Sequence, residues 1–417
     1  MLIHSASQLI CLRGGAQRGS RLGKLDILED GAVLFRDGII QAVGSSRDLL
    51  RQYPQEETID AGGRVVMPGL VDPHTHLIWA GDRAKEFSMR LEGKSYMEIM
   101  AAGGGIHATV QATRAASDQE LSSAALKRAW SALKQGTTTL EAKSGYALNV
   151  DGELRLLKIL MQMRNVIPMD IVPTFLGAHA VPSEFKDRPA DYVDLIIQQA
   201  LPQLKTWWQQ SYPQETFPFV DVFCEPDVFD LEQSASILSA ARELGFPLKM
   251  HADEFENIGG AALAAGLGAA SADHLVRTGE QDIAALAASD TVAVALPCTP
   301  FGLAEQAYTP AQQIIAQDGY LALASDLNPG TAWCGNMQFV IALACRFMKM
   351  TPAQAIAAAT INAAAAIRMD DRVGSLDIGK QADILILDIP QYQHLGYRFG
   401  ENLVHTVIKK GKVIHFS

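Results

Sequence analysis

The feature that most constrains this chain is a regular alternation through its middle. Eight apolar, strand-like runs at 65–72, 137–143, 169–178, 219–225, 247–251, 270–274, 291–297 and 320–326 are separated by longer intervals, several of them patterned as helices. Parallel strands need a crossover between neighbours, usually a helix, and are buried on both faces. Ser117-Asp118-Gln119-Glu120 is a capping box followed by Leu121, Ala125, Leu126, Ala129, Trp130 and Leu133 at helical spacing, with Gly136 as terminator. Leu231 to Leu244 stops at Gly245, and Thr351-Pro352 opens an alanine-rich helix expected to run through Ile367. Eight alternating units over about 300 residues predict an α/β fold, a (β/α)8 TIM barrel, with an open doubly wound sheet as the alternative.

The two ends read differently. Asp30-Gly31, Asp37-Gly38 and Ala61-Gly62-Gly63 punctuate short alternating runs, and 382–388, 406–408 and 412–414 repeat that pattern around Lys410-Gly411. The simplest arrangement is a small β-sandwich domain built from both termini, residues 1–64 and 369–417, with the barrel, 65–368, inserted between them.

Charge and cysteine content narrow the class. A net charge of −11 with no Lys/Arg run argues against nucleic-acid or anionic-membrane partners. It also repels an anionic small molecule at long range, so a site for one needs a local arginine. Cys11, Cys224, Cys298, Cys334 and Cys345 are scattered and odd in number, which favours free thiols in a reducing compartment. The start has no basic n-region, and no apolar run reaches the ~18 residues needed to span a bilayer. A cytoplasmic protein is expected.

In a barrel of this kind chemistry sits at the carboxyl ends of the strands. His74 and His76 follow the first run; alternate residues of a strand face one side, so this H-x-H presents two imidazoles together. His179 follows the third run, His251 closes the fifth, His274 the sixth and Asp326 the eighth. Scattered structural histidines would not cluster in this way. His74, His76, His251 and Asp326 form a donor set suited to one divalent zinc, with iron also possible, and such an ion lowers the pKa of bound water toward ~7. The fourth run offers no lysine to carbamylate and bridge two ions. Lys143 closes the second run as part of Glu141-Ala142-Lys143-Ser144; Cys224 or Glu225 offers a bridge to a second ion, against the plainer roles of packing and structural hydrogen bonding. Glu254, three residues beyond His251, is placed to pass a proton between water and a substrate nitrogen; the plainer reading is that Glu254 or Asp253 caps a helical turn from Asn257. His274 orients the metal-bound water or stabilises an oxyanion, or else is a satisfied strand-end histidine. Gly103-Gly104-Gly105 lacks the context of a phosphate cradle and reads as a mobile loop near the pocket mouth.

These residues carry a resemblance. Val71-Asp72-Pro73-His74-Thr75-His76, with His251, His274 and Ala324-Ser325-Asp326, resembles the metal centre of the amidohydrolase superfamily, and 373–383 resembles its C-terminal β segment. The segments 76–83, 102–106, 141–146, 175–180, 251–254 and 326–331 are similar, nearly end to end, to the branch that opens a cyclic amide in histidine degradation. The resemblance implies hydrolysis of the ring C–N bond of 4-imidazolone-5-propanoate to N-formimidoyl-L-glutamate by a homodimer. It further implies one zinc or iron on His74, His76, His251 and Asp326, and a substrate pocket of Arg83, Tyr96, Tyr146, His179, Glu254, Asn328, Gly330 and Thr331. Residue chemistry agrees: Arg83 offers a planar fork for a carboxylate and the tyrosines add hydroxyl donors, although singly they read as surface and packing residues. In the hypothetical mechanism Glu254 and Asp326 relay a proton while His274 helps the metal stabilise the oxyanion. The rival enzyme is an aminohydrolase of a base such as cytosine or guanine, which would leave Arg83 nothing to pair with. A non-catalytic scaffold of this fold is disfavoured by the complete ligand set.

Overall fold

The computed structural model of the chain describes residues 1–94, 98 and 103–416. It begins with five strands, β1 (Leu2–Ile10), β2 (Ile27–Arg36), β3 (Ile39–Ser45), β4 (Thr58–Asp60) and β5 (Val65–Pro68). Eight follow in the middle: β6 (Leu70–Asp72), β7 (Thr137–Lys143), β8 (Asp170–Ala178), β9 (Phe219–Cys224), β10 (Lys249–Ala252), β11 (Ser271–His274), β12 (Val292–Ala295) and β13 (Leu321–Leu323). The last three are β14 (Ile384–Leu387), β15 (Val404–Lys409) and β16 (Lys412–Ile414).

The middle eight pair in strict chain order from β6 to β13, every pair parallel. The ring closes just beyond its strand ends. Thr75 bridges Leu327, the His76 N–H donates to the Leu327 carbonyl at 2.9 Å, and the Asp326 N–H donates to the His74 carbonyl at 3.1 Å. Helices cover the outside, as the both-face burial of β7 and β10–β12 requires. Ser117 and Glu120 form the capping box of Asp118–Lys134, whose buried Leu121, Ala125, Ala129 and Leu133 face the barrel core. The TIM barrel expected from the alternation is therefore the fold.

The terminal strands form one mixed sheet in the order β16-β15-β14-β5-β1-β2-β3, and β1 forks to pair with both β4 and β5. Ile3, Leu9, Val33, Phe35, Val66, Ile384 and Ile408 build its own core. An ionic cluster joins it to the barrel: Asp170, at the start of β8, accepts from Lys409 and Lys410 at 2.7 Å each and from Gln381 at 2.8 Å.

Two local readings need correction. The run 65–72 is two strands, because Val65–Pro68 pairs with β1 and β14 while only Leu70–Asp72 enters the barrel. Gly69 is the joint: a Cβ there would lie 2.1 Å from Thr138 Oγ1, so the chain can turn that closely only without a side chain. The alanine-rich helix after Thr351 is also two helices, Pro352–Ala358 and Ile361–Ala366. Thr360 Oγ1 bonds back to the Ile356 carbonyl, and the Ala359 carbonyl is taken by the Val71 N–H of β6, so the helical ladder is broken by a bond to the barrel. Among the described residues no helix is long and apolar enough to cross a membrane.

Candidate metal centre and active site

The strand ends bring His74, His76, His251, His274 and Asp326 together at one mouth. Asp326 Oδ1 lies 3.5 Å from both His74 Nε2 and His76 Nε2, and His76 Nε2 faces His251 Nε2 at 3.3 Å. Donor atoms of His74, His76 and Asp326 lie within 4.8 Å of one another, and so do those of His74, His251 and His274. Among the described residues, His74 Nε2 and Asp326 Oδ1 are buried without a hydrogen-bond partner. Burial pushes His74 and His76 well below the usual histidine range, so they are neutral imidazoles with lone pairs to share. Orphaned donors that converge in this way fit a divalent cation.

Backbone conformation aims these groups. Asp273 faces inward on β11, so strict alternation would turn His274 outward. His274 instead adopts φ 78°, which brings its ring within 5.2 Å of the His251 ring. Asp253 and Asp326 are also left-handed, each at φ 55°. Non-glycine residues hold such conformations only where surroundings over-determine them, and here they cluster at the mouth.

Behind the ligands lies a layer the sequence reading did not assign. Asp273 Oδ2 takes His74 Nδ1 at 2.6 Å, leaving Nε2 for the cation. Asp221 Oδ2 lies 3.0 Å from His251 Nδ1 at an angle short of a hydrogen bond, and its Oδ1 accepts from the His251 N–H at 3.2 Å. Thr299 Oγ1 donates to Asp326 Oδ2. The available signal was an acid inside an apolar strand run, as in Phe219-Val220-Asp221-Val222; such a charge is buried only if paired.

In front of the ligands is a cavity of about 620 Å³. Arg83, Tyr146, His179, Glu254, Asn328, Gly330 and Thr331 line it together with His76, His251, His274 and Asp326, while His74 lies wholly buried behind. Tyr96 falls outside the described residues. Arg83 Nε donates to Glu86 Oε2 at 2.8 Å, and Glu86 Oε1 accepts from the Gly105 N–H at 3.1 Å. The glycine run thus ends tied to Arg83's partner, with Gly105 as N-cap of the helix Ile106–Ala115. Arg90 and Lys94, two cations not singled out in the sequence, also line the cavity. Asn328 Oδ1 accepts from the Gly330 and Thr331 N–H groups at 2.7 and 2.8 Å, shaping that loop.

His179 stacks on His76 at 4.8 Å and 19°; burial takes it down to about 3, and its Nδ1 contacts the Gly145 carbonyl at 2.9 Å. Its Nε2 is therefore an acceptor. Burial, with the Asp326 and Glu225 carboxylates nearby, pushes Glu254 well above the usual carboxylate range, and its Oε2 lies 3.5 Å from His274 Nδ1. Glu254 caps no helix: Gly260–Leu267 starts from Gly259 with no side-chain cap, and Asp253 instead accepts from Thr278 Oγ1 at 2.7 Å. Glu225 accepts the N–H groups of Glu254, Phe255 and Glu256, which fits its structural assignment. Cys224 is buried and pushed up to about 11, an inert thiol.

A parallel barrel whose strand ends converge on imidazole and carboxylate donors defines a metal-type hydrolase of the amidohydrolase kind. Comparison with known proteins narrows this. An amidohydrolase family model matches residues 65–414, and a bacterial imidazolonepropionase-like composite-domain model matches 31–55. Imidazolonepropionase of Herpetosiphon aurantiacus is 48% identical over 99% of this chain and 96% of its own length; that of Symbiobacterium thermophilum is 46% identical over 99% and 97%. The chain belongs to the amidohydrolase family and, within it, to the imidazolonepropionases. Among solved structures, an adenosine deaminase from Xanthomonas campestris with bound zinc superposes with a TM-score of 0.72 at 19% identity, covering 99% of this chain and 92% of its own. A 5-methylcytosine deaminase from Klebsiella pneumoniae gives 0.72 at 18%, covering 100% and 97%. At those identities the likeness concerns the fold.

Proposed function

We propose that the protein hydrolyses the ring C–N amide bond of 4-imidazolone-5-propanoate, yielding N-formimidoyl-L-glutamate. The observation that carries this is one cavity with converging metal donors on its floor and Arg83, backed by Arg90 and Lys94, on its wall. The cations suit the propionate and the floor suits the ring carbonyl. A single zinc or iron ion held by His74, His76, His251 and Asp326 supplies Lewis acidity that acidifies water and polarises a carbonyl.

The chain's residues do the rest. Arg83 pairs with the propionate while Glu86 fixes its orientation. Tyr96 and Tyr146 offer hydroxyl donors to the substrate. Glu254, whose burial favours a protonated carboxyl, exchanges a proton with the attacking water and delivers one to the departing ring nitrogen, with Asp326 as relay partner. His274 donates to the oxygen that gains charge on the carbonyl carbon. Water adds OH to that carbon and H to the nitrogen, so the bond opens with the propionate intact.

The test is to assay imidazolonepropionate against cytosine and guanine; turnover of a base but not the imidazolone removes the proposal. A base deaminase, acting on a neutral ring, would leave the cations of the wall no substrate carboxylate to bind. The five free cysteines suit a cytoplasmic protein, and a homodimer is the expected assembly.

A further inference from the structure

We propose that Lys143 is a positioning residue for the metal ligands, bracing from inside the barrel the carboxylates that stand behind His74 and His251. The inference rests on the metal site proposed above. Lys143 is fully buried on β7 and lines no part of the cavity, so it touches neither substrate nor solvent. Its ammonium donates to Glu141 Oε1 and Asp221 Oδ2 at 2.7 Å each and lies 3.9 Å from Asp273 Oδ2. A second buried ammonium, Lys249, lies 3.4 Å from Asp273 Oδ2 and donates to Ser271 Oγ.

Two ammoniums and three carboxylates, all wholly buried, form a layer that apolar side chains of like volume could replace at no loss of stability. What the layer does provide is direction. Its outward contacts reach segments that carry ligands: Glu141 Oε2 accepts the N–H of Thr75, which sits between His74 and His76. Asp221 Oδ1 accepts the His251 N–H, and Asp273 takes His74 Nδ1. Lys143 is the one group of the layer in contact with all three acids. Removing it takes from Asp221 its hydrogen-bonded ammonium and leaves Asp273 with Lys249 alone, so the carboxylates behind His251 and His74 lose the charge that holds them in common.

The experiment measures Zn²⁺ affinity by chelator competition, and the visible spectrum of the Co²⁺ form, for the parent, Glu141→Gln, Lys143→Met and the double variant Lys143→Met/Glu141→Gln. The double variant keeps the net charge of the layer and so remains informative if Lys143→Met does not fold. In both Lys143 variants affinity is expected to fall about 10- to 100-fold with an altered Co²⁺ spectrum. The melting temperature of the metal-free protein is expected to fall in Lys143→Met, which strands buried carboxylates, and to change little in the charge-balanced double variant. Glu141→Gln keeps an acceptor for Thr75 and is expected to bind within about threefold of the parent. Parent-like affinity and spectrum in the double variant overturn the proposal, as does an equal loss in Glu141→Gln alone. A parent that binds no ion at all overturns the metal reading itself, which separates the two failures.

Discussion

Gly330 lies against Arg83: a Cβ on Gly330 would sit 2.3 Å from the guanidinium Nη1. Even an alanine must therefore push the guanidinium away from the loop that Asn328 shapes. Gly330→Ala is expected to raise KM about tenfold, roughly 1.4 kcal/mol, with kcat changed much less. Steady-state kinetics with an unchanged KM would show that the guanidinium's position is not set by this contact.

Arg83→Ala removes the fork itself. Loss of a charge-assisted pair of about 1.5–3 kcal/mol predicts a KM increase of about 10- to 100-fold. Arg83→Lys should recover only part, because an ammonium cannot make two parallel bonds to one carboxylate. Equal kinetics for the parent and the alanine variant would remove Arg83 from carboxylate binding.

Glu254→Gln keeps shape and hydrogen-bonding capacity but cannot carry the proton. Turnover is expected to drop by about 10²-fold or more, with metal content and substrate affinity retained. Full activity in a variant of normal metal content would exclude Glu254 from proton transfer.

Stripping divalent ions with a chelator should abolish activity and lower the melting temperature, since an ion bound only to the folded state stabilises it by mass action. Zn²⁺ or Fe²⁺ should restore both, and element analysis should give one ion per chain. Activity that survives complete stripping would refute the metal reading.

Acid sensitivity should report the Asp170 cluster. Burial alone would raise this carboxyl, but Lys409, Lys410 and Gln381 outweigh it and hold it well below the usual range. A depressed folded-state pKa gives stability that is full above the unfolded value of about 3.9 and lost as pH falls through the folded one. The melting-temperature gap between the parent and Asp170→Asn should be widest near neutrality and close only below about pH 4. A gap that does not change with pH would show that the charge contributes nothing.

Much of this architecture is legible in the residues. The barrel follows from eight buried runs with capped helices between them, and His74, His76, His251 and Asp326 could be listed because strand ends are where a barrel places its chemistry. What escaped depended on contacts across the chain. Val65 to Asp72 reads as one strand until Thr138 is seen to press on Gly69. The helix after Thr351 reads as continuous because nothing local shows that the Ala359 carbonyl binds Val71. His274 enters the mouth only through a left-handed backbone that no pattern of period two contains. Asp221, Asp273 and Lys143 were visible as charges in apolar runs, but their partners lie on other strands.

The closure of the ring has a consequence for how the protein comes into being. The seam between the first and eighth strands lies directly behind the cavity, where Asp72 accepts from Ser325 across 253 positions and the Asp326 N–H donates to the His74 carbonyl. A nascent chain therefore owns no working centre until the eighth strand has left the ribosome, and a product truncated before it would be inert however well its earlier units had folded.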